Sequence, residues 1–147
     1  MKKRIFVYGW LLLSPLGLLA QEITSTAVPV SVKNTLKAKF PQATDIDWKK
    51  TGNQYKASFD LGKVDHDAVF TASGQLLSHD FDIPYSSLPT AVKTTVSKQF
   101  PKHRPDGADK REENGRTTYK VELDGNPDLN VILSADGNVL KKMTDVD

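Results

Sequence analysis

One short pattern occurs twice in this chain, and that duplication limits the folds open to it. Val28-Pro-Val-Ser-Val-Lys-Asn-Thr-Leu-Lys-Ala-Lys-Phe40-Pro41 is echoed by Leu88-Pro-Thr-Ala-Val-Lys-Thr-Thr-Val-Ser-Lys-Gln-Phe100-Pro101, sixty residues later. Apolar residues recur every fourth position, at Val28, Val32, Leu36 and Phe40 and again at Leu88, Val92, Val96 and Phe100. Proline suits a first helical turn, where its missing N–H is not needed, and the Phe-Pro step ends the helix because proline disfavours helical geometry in the residue before it. Each copy therefore predicts a short amphipathic helix that opens a structural unit.

The stretches behind the two helices also correspond. Thr44 to Lys49 and Tyr55 to Asp60 alternate polar and apolar residues around the turn candidates Gly52-Asn53, which predicts a β-hairpin with Ile46 opposite Phe59 and Trp48 opposite Ala57. A third strand is expected around Ala68 to Thr71 and a fourth from Gln75, entered through Ala72-Ser-Gly74. In the second copy the same order reads Asp109 to Glu112, the turn Asn114-Gly115, Thr117 to Leu123, Leu129 to Leu133, then Ala135-Asp-Gly137 and Val139-Leu140. Gly52/Gly115, Phe70/Leu133 and Gly74/Gly137 are each 63 apart against 60 for the helices, which places three extra residues after the second Phe-Pro step. The expectation is an α+β fold: a tandem repeat of two αββββ units (residues 28–83 and 84–147) forming an antiparallel sheet of up to eight strands, with both helices on one face. The expected core combines Val32, Leu36, Phe40, Ile46, Trp48, Phe59 and Phe70 with Val92, Val96, Phe100, Tyr119, Val121, Leu123 and Leu133.

The N-terminus has a different character. Met1-Lys-Lys-Arg4 followed by an uncharged, largely apolar run from Ile5 to Ala20 predicts a secretory signal peptide over residues 1–20, cleaved before Gln21. Ser14-Pro15 and Gly17 interrupt that run, and no basic flank follows it, so a membrane anchor is the weaker reading. With no cysteine in the chain, neither a lipoprotein anchor nor a disulfide is available. Gln21 to Ala27 reads as a flexible lead-in. Removing residues 1–20 leaves 147 − 20 = 127 residues, enough for one domain; three of 20 basic residues leave with them, so 17 face 18 acidic ones and the mature charge is about −1. A nucleic-acid partner then lacks its electrostatic motive, and the protein is expected in the periplasm or outside the cell.

Leu88-Pro-x-Ala-Val, Phe100-Pro101, Tyr119-Lys-Val-Glu-Leu123 and Val131-Ile-Leu-Ser-Ala-Asp-Gly137 with Leu140 together resemble the PepSY-like domain of secreted bacterial proteins, whose fold is similar to β-lactamase inhibitory protein. The first copy departs from that pattern, with Val-Pro-Val-Ser for Leu-Pro-x-Ala and Phe59 where the second has Leu123. The resemblance implies a non-catalytic role, inhibitory or ligand-sensing.

Candidate chemistry is sparse. His66, His79 and His103 fall in separate segments without helical spacing, so they read as solvated side chains rather than a zinc site. The acidic loops Asp60 to Asp67 and Asp124 to Asp128 hold the oxygen ligands calcium requires, but not in EF-hand order, and Asp, Asn and Gly are also what tight turns use. There is no cysteine nucleophile and no Gly-x-Ser-x-Gly elbow. No catalytic, cofactor-binding or metal-ligating residue is therefore assigned, and no enzyme is expected. What remains is the sheet face away from the helices, where strand alternation places Val69 and Ile132 at matching positions among Lys49, Lys56, Arg111 and Lys120. These six residues are the candidate partner-binding surface, an apolar centre ringed by charge. The expected function is binding or inhibition of another secreted or periplasmic protein; the alternative is a small-ligand or calcium-sensing domain using the acidic loops.

Overall fold

The computed structural model describes residues 19–145, so the signal-peptide expectation lies outside the described residues as far as residue 18. Strand β1 (Gln21–Ile23) is followed by helix α1 (Val30–Lys39) and by β2 (Thr44–Thr51), β3 (Gln54–Leu61), β4 (Val64–Thr71) and β5 (Leu76–Ile83). Helix α2 (Thr90–Gln99) then leads to β6 (Arg104–Glu113), β7 (Arg116–Asp124), β8 (Leu129–Ser134) and β9 (Val139–Thr144). The protein is α+β, and its nine strands form one sheet in chain order, every neighbouring pair antiparallel. The pairing of β5 with β6 joins the strands that follow α1 to those that follow α2.

Each helix begins directly after its proline and ends at its phenylalanine. Pro29 and Pro89 hold φ at −55° and −53° at the N-cap positions, and the last bonds run from the Phe40 N–H to the Leu36 carbonyl and from the Phe100 N–H to the Val96 carbonyl. The stripe of α1 buries Val28, Val32 and Leu36 against Trp48, Tyr55, Ala57, Phe59, Ala68 and Phe70. The stripe of α2 buries Leu88, Val92 and Val96 against Ala108, Tyr119, Val121, Leu123, Leu129, Val131 and Leu133.

Two glycines hold the helices to the sheet. The Thr35 hydroxyl donates to the Gly74 carbonyl at 2.7 Å, and that of Thr95 to the Gly137 carbonyl at 2.6 Å. A Cβ at Gly74 would lie 2.6 Å from the Ser31 carbonyl oxygen, and one at Gly137 2.5 Å from that of Ala91. Both residues have positive φ, +90° and +85°, so close approach and backbone conformation each call for glycine.

Several expectations need correction. The lead-in is partly structured: Gln21–Ile23 pairs with β2, and Ser25–Ala27 forms a 3-10 turn, which raises the strand count from eight to nine. Trp48 does lie opposite Ala57, but Ile46 is 39% exposed. A bulge between Thr44 and Asp47, with Asp45 at φ +50°, takes Ile46 out of the alternation. Phe40 and Phe100 are only partly buried at the helix ends. The extra residues of the second copy do not lie in the loop directly behind its Phe-Pro step, since β6 begins at Arg104 as β2 begins at Thr44, four residues after the phenylalanine in each case. Beyond the rungs Lys50–Tyr55 and Lys110–Tyr119, the first hairpin has one more pair, Thr51–Gln54, whereas the second has Arg111–Thr118, Glu112–Thr117 and Glu113–Arg116. The added length is two rungs, four residues, at the tip of β6–β7, and one residue is lost again in the following turn, where Leu123 pairs with Leu129 but Phe59 with His66.

Candidate functional site

Side chains alternate along a strand, so residues next to core positions emerge on the other side of the sheet. Three rows follow from the register. One runs Glu22, Lys49, Lys56, Val69, Ser78, Glu113, Arg116; a second runs Asp47, Ser58, Asp67, Asp80, Arg111, Thr118, Ser134; a third contains Asp82, Asp109, Lys120, Ile132, Lys141. The six sequence-predicted residues all fall on this side: Lys49, Lys56 and Val69 in the first row, Arg111 in the second, Lys120 and Ile132 in the third.

Their surroundings differ from a ring of solvated charge. Lys56 pairs with Asp67 at 3.3 Å, Lys120 with Asp109 at 2.8 Å and Glu122 at 3.7 Å, and Arg111 with Glu113 at 3.2 Å and Asp80 at 3.6 Å; Lys49 reaches Glu22 at 4.0 Å. Asp109, Arg111 and Lys120 are more than nine-tenths buried, although they lie away from both apolar clusters, and Ile132 is 9% exposed beside them. Burial works against the Lys120 ammonium, but Asp109 and Glu122 more than offset it and hold the lysine above its usual range.

Sequence reasoning read Asp60 to Asp67 as an acidic loop but missed that acids face one another across the strands. Asp60 stands directly opposite Asp65, Asp67 opposite Asp80, and Asp82 opposite Asp109. Burial pushes the Asp80 carboxyl up to about 6, against the pull of Arg111 and with help from Asp67, Glu113 and Asp109. A hydrogen bond shared with Asp65 raises the Asp60 carboxyl. Toward the β3–β4 turn, Asp45, Asp47, Asp60, Asp65 and Asp67 line an open recess of about 280 Å³ with Ser58, Phe59 and His66. Among the described residues, no three His, Asp or Glu side chains converge to hold a metal ion. In the second acidic loop, Asp128 accepts a hydrogen bond from the Gly125 N–H at 2.8 Å, as a turn-forming aspartate does.

Asp80 gives a signed pH dependence. Its folded value of about 6 lies above the ordinary 3.8, so between those values the folded state binds more protons than the unfolded one. The ionised carboxylate therefore destabilises the fold fully above pH 6, and the effect vanishes below pH 3.8. Asp80→Asn is expected to raise the urea midpoint at pH 7 and leave it unchanged at pH 3.5. An equal gain at both values would mean that the charge is not responsible.

The histidines also depart from expectation. His66 and His79 are half-buried and paired: they meet on the core side of β4 and β5, with His66 Nδ1 2.9 Å from His79 Nε2. His66 shares the phase of Ala68 and Phe70, so alternation alone could have turned it inward. His103 lies apart, with Nε2 3.0 Å from the Pro127 carbonyl oxygen.

A single antiparallel sheet with two short helices and a polar, ion-paired side defines a small α+β class of protein. The family model described as "Putative beta-lactamase-inhibitor-like, PepSY-like" matches residues 18–78 and 53–141, and the chain belongs to that family. Among solved structures, one described as a "putative periplasmic" protein of Bacteroides eggerthii has TM-score 0.72 at 19% identity, over 80% of this chain and 88% of its own. A DUF2874 family protein from Bacteroides uniformis has TM-score 0.71 at 16% identity, covering 79% and 88%. A BLIP-like protein from Bacteroides fragilis has TM-score 0.68 at 21% identity, covering 81% and 89%. At these identities the likeness extends to the fold alone. Among curated proteins no match was found. No helix among the described residues is long and apolar enough to cross a membrane.

Proposed function

We propose that this chain is a secreted or periplasmic, non-catalytic module that binds another protein through the sheet side carrying Lys49, Lys56, Val69, Arg111, Lys120 and Ile132. The signal-like N-terminus supports export with cleavage before Gln21. Two overlapping family matches and the recurrence of a 3-10 turn, a helix and four strands support a tandem repeat. Alternation across the β5–β6 junction, where Ile83 pairs with Ala108 on the core side, supports both helices covering one face and leaving the other open.

The observation that carries the proposal is the acidic end of that open side, where Asp60 stands opposite Asp65 and both line an open recess with Asp45, Asp47 and Asp67. Like charges directly across a sheet are destabilising, and a partner presenting lysine or arginine would relieve the repulsion. Charge of this kind governs specificity and association rate more than affinity. Inhibition of an enzyme is one form such binding takes, in keeping with the family description.

The test is capture from the periplasm or culture medium of the host, comparing the wild-type protein with Asp47→Asn/Asp60→Asn/Asp65→Asn, which removes charge at exposed or half-exposed positions. A partner retained by wild type, released by moderate salt and missed by the triple variant is the expected result. Capture that survives both salt and substitution would place the binding surface elsewhere. Calcium calorimetry on the same protein addresses the sensing alternative: tight binding with a marked rise in Tm would favour it.

A further inference from the structure

The core side of the β4–β5 seam holds a pair of imidazoles where the neighbouring rungs are apolar. His66 Nδ1 and His79 Nε2 are 2.9 Å apart, the ring planes differ by 14°, and the ring centroids are 5.1 Å apart. That centroid separation is close to the N···N distance plus the two ring radii, so the nitrogens lie nearly in line. An in-line approach is a hydrogen bond between imidazoles; a shared metal ion would need the two lone pairs to converge at an angle. Phe59 and Phe81 stack on His66 at 5.5 and 5.1 Å, and Phe40 from the end of α1 lies 4.7 Å from His79.

We propose that this pair is a proton-operated clasp across β4 and β5, closed while one facing nitrogen donates and the other accepts, and opened when acid gives both a proton. Either arrangement of the closed clasp puts the ring proton on the same-named nitrogen of both residues. If His66 donates from Nδ1, His79 accepts at Nε2 and keeps its own proton on Nδ1; if His79 donates from Nε2, His66 carries its proton on Nε2. One added proton leaves a donor facing an acceptor, whereas two leave donors face to face.

The surroundings favour the closed form at neutral pH. Burial lowers the His66 imidazole, with Asp60 from β3 and its own neighbour Asp67 acting against it. Burial and then His66 push the His79 imidazole down to about 4, with Glu112 from β6 raising it and Lys110 lowering it. Lys110 and Glu112 are themselves paired at 2.7 Å, and α1 brings the uncharged Phe40. Since the ordinary imidazole value is 6.5, the unfolded state takes up protons more readily between pH 6.5 and about 4. The stabilising contribution is thus complete above pH 6.5 and lost as pH falls toward 4. Asp67 and Asp80, each next in sequence to a clasp histidine, project to the open side, so an opened clasp also loosens the strands that present the opposed carboxylates.

The experiment is a pH titration of the purified protein by nitrogen-15 NMR of the imidazoles, with amide protection factors measured in parallel. Expected at pH 7 are two histidines locked in one matching tautomer. As pH falls, one is expected to titrate near 4 while protection at Ala68 and His79 fades before that at Val121 and Val131. Relative to the wild type, whose profile also carries the opposite contribution of Asp80, His79→Phe should gain urea midpoint progressively as pH falls from 6.5 to about 4. Mixed, independent tautomers with both midpoints near 6.5 would overturn the proposal, as would simultaneous loss of protection on both rungs or an unchanged pH profile in the variant. The wild-type spectra decide the matter if the variant does not fold.

Discussion

Phe70→Ala is expected to lower stability by about 3–5 kcal/mol, the range for removing a buried aromatic ring, and to leave little of a total of about 5–15 kcal/mol. Phe70 is fully buried on β4, on the same rung as Tyr55, with its ring 6.5 Å from that of Trp48. It belongs to the apolar cluster under α1, so truncation opens a cavity that the helix cannot close while Thr35 and Gly74 hold it to the sheet. Urea denaturation at pH 7 measures the loss. An unchanged midpoint would mean that α1 does not pack on β4.

The second large effect lies on the other side of the sheet. Lys120→Ala would leave Asp109, 7% exposed and directly opposite Asp82, without its 2.8 Å partner. Breaking a buried ion pair at one end costs about 3–5 kcal/mol, because the remaining charge has lost both water and partner. Replacing both ends by apolar residues of similar volume, Asp109→Leu with Lys120→Met, is expected to be neutral or stabilising by about 1–4 kcal/mol. Urea midpoints of the single and double variants should therefore fall on opposite sides of, or straddle, the wild-type value. A single-variant loss well below 1 kcal/mol would show that water reaches the pair.

What the sequence conveyed and what it did not divide along the range of the interactions. The helix stripes, the Phe-Pro stops, the Gly52-Asn53 and Asn114-Gly115 turns and the alternation of Tyr55 to Phe59 are local, and each was legible from spacing. The bulge at Asp45 and Ile46 was not, because a positive φ at aspartate depends on the partner strand. Alternation was enough to put Val69 and Ile132 in the same phase, but not to show that Ile132 is 9% exposed beside the buried pair Asp109 and Lys120, which comes from β6 and β7. Asp80 faces Arg111 only because β5 pairs with β6, a contact between elements separated by α2. His66 and His79 met for the same kind of reason: each phase was readable, and the register that aligned them was not.

Gln21–Ile23 seals an edge. Ile23, Glu22 and Gln21 stand against Trp48, Lys49 and Lys50 as Ile83, Asp82 and Phe81 stand against Ala108, Asp109 and Lys110. β1 is thus a cut-down counterpart of β5, lent by the chain to its own first hairpin. A sheet that grows by adding strands in sequence leaves an unpaired row of backbone donors and acceptors at each end, a template for head-to-tail polymerisation. Here one end is occupied by three residues of the same molecule. The other, β9, carries Lys141 and Lys142 and a register break beside the exposed Leu140, features that discourage a further strand from docking. Both ends of the sheet are therefore blunted against edge-to-edge pairing.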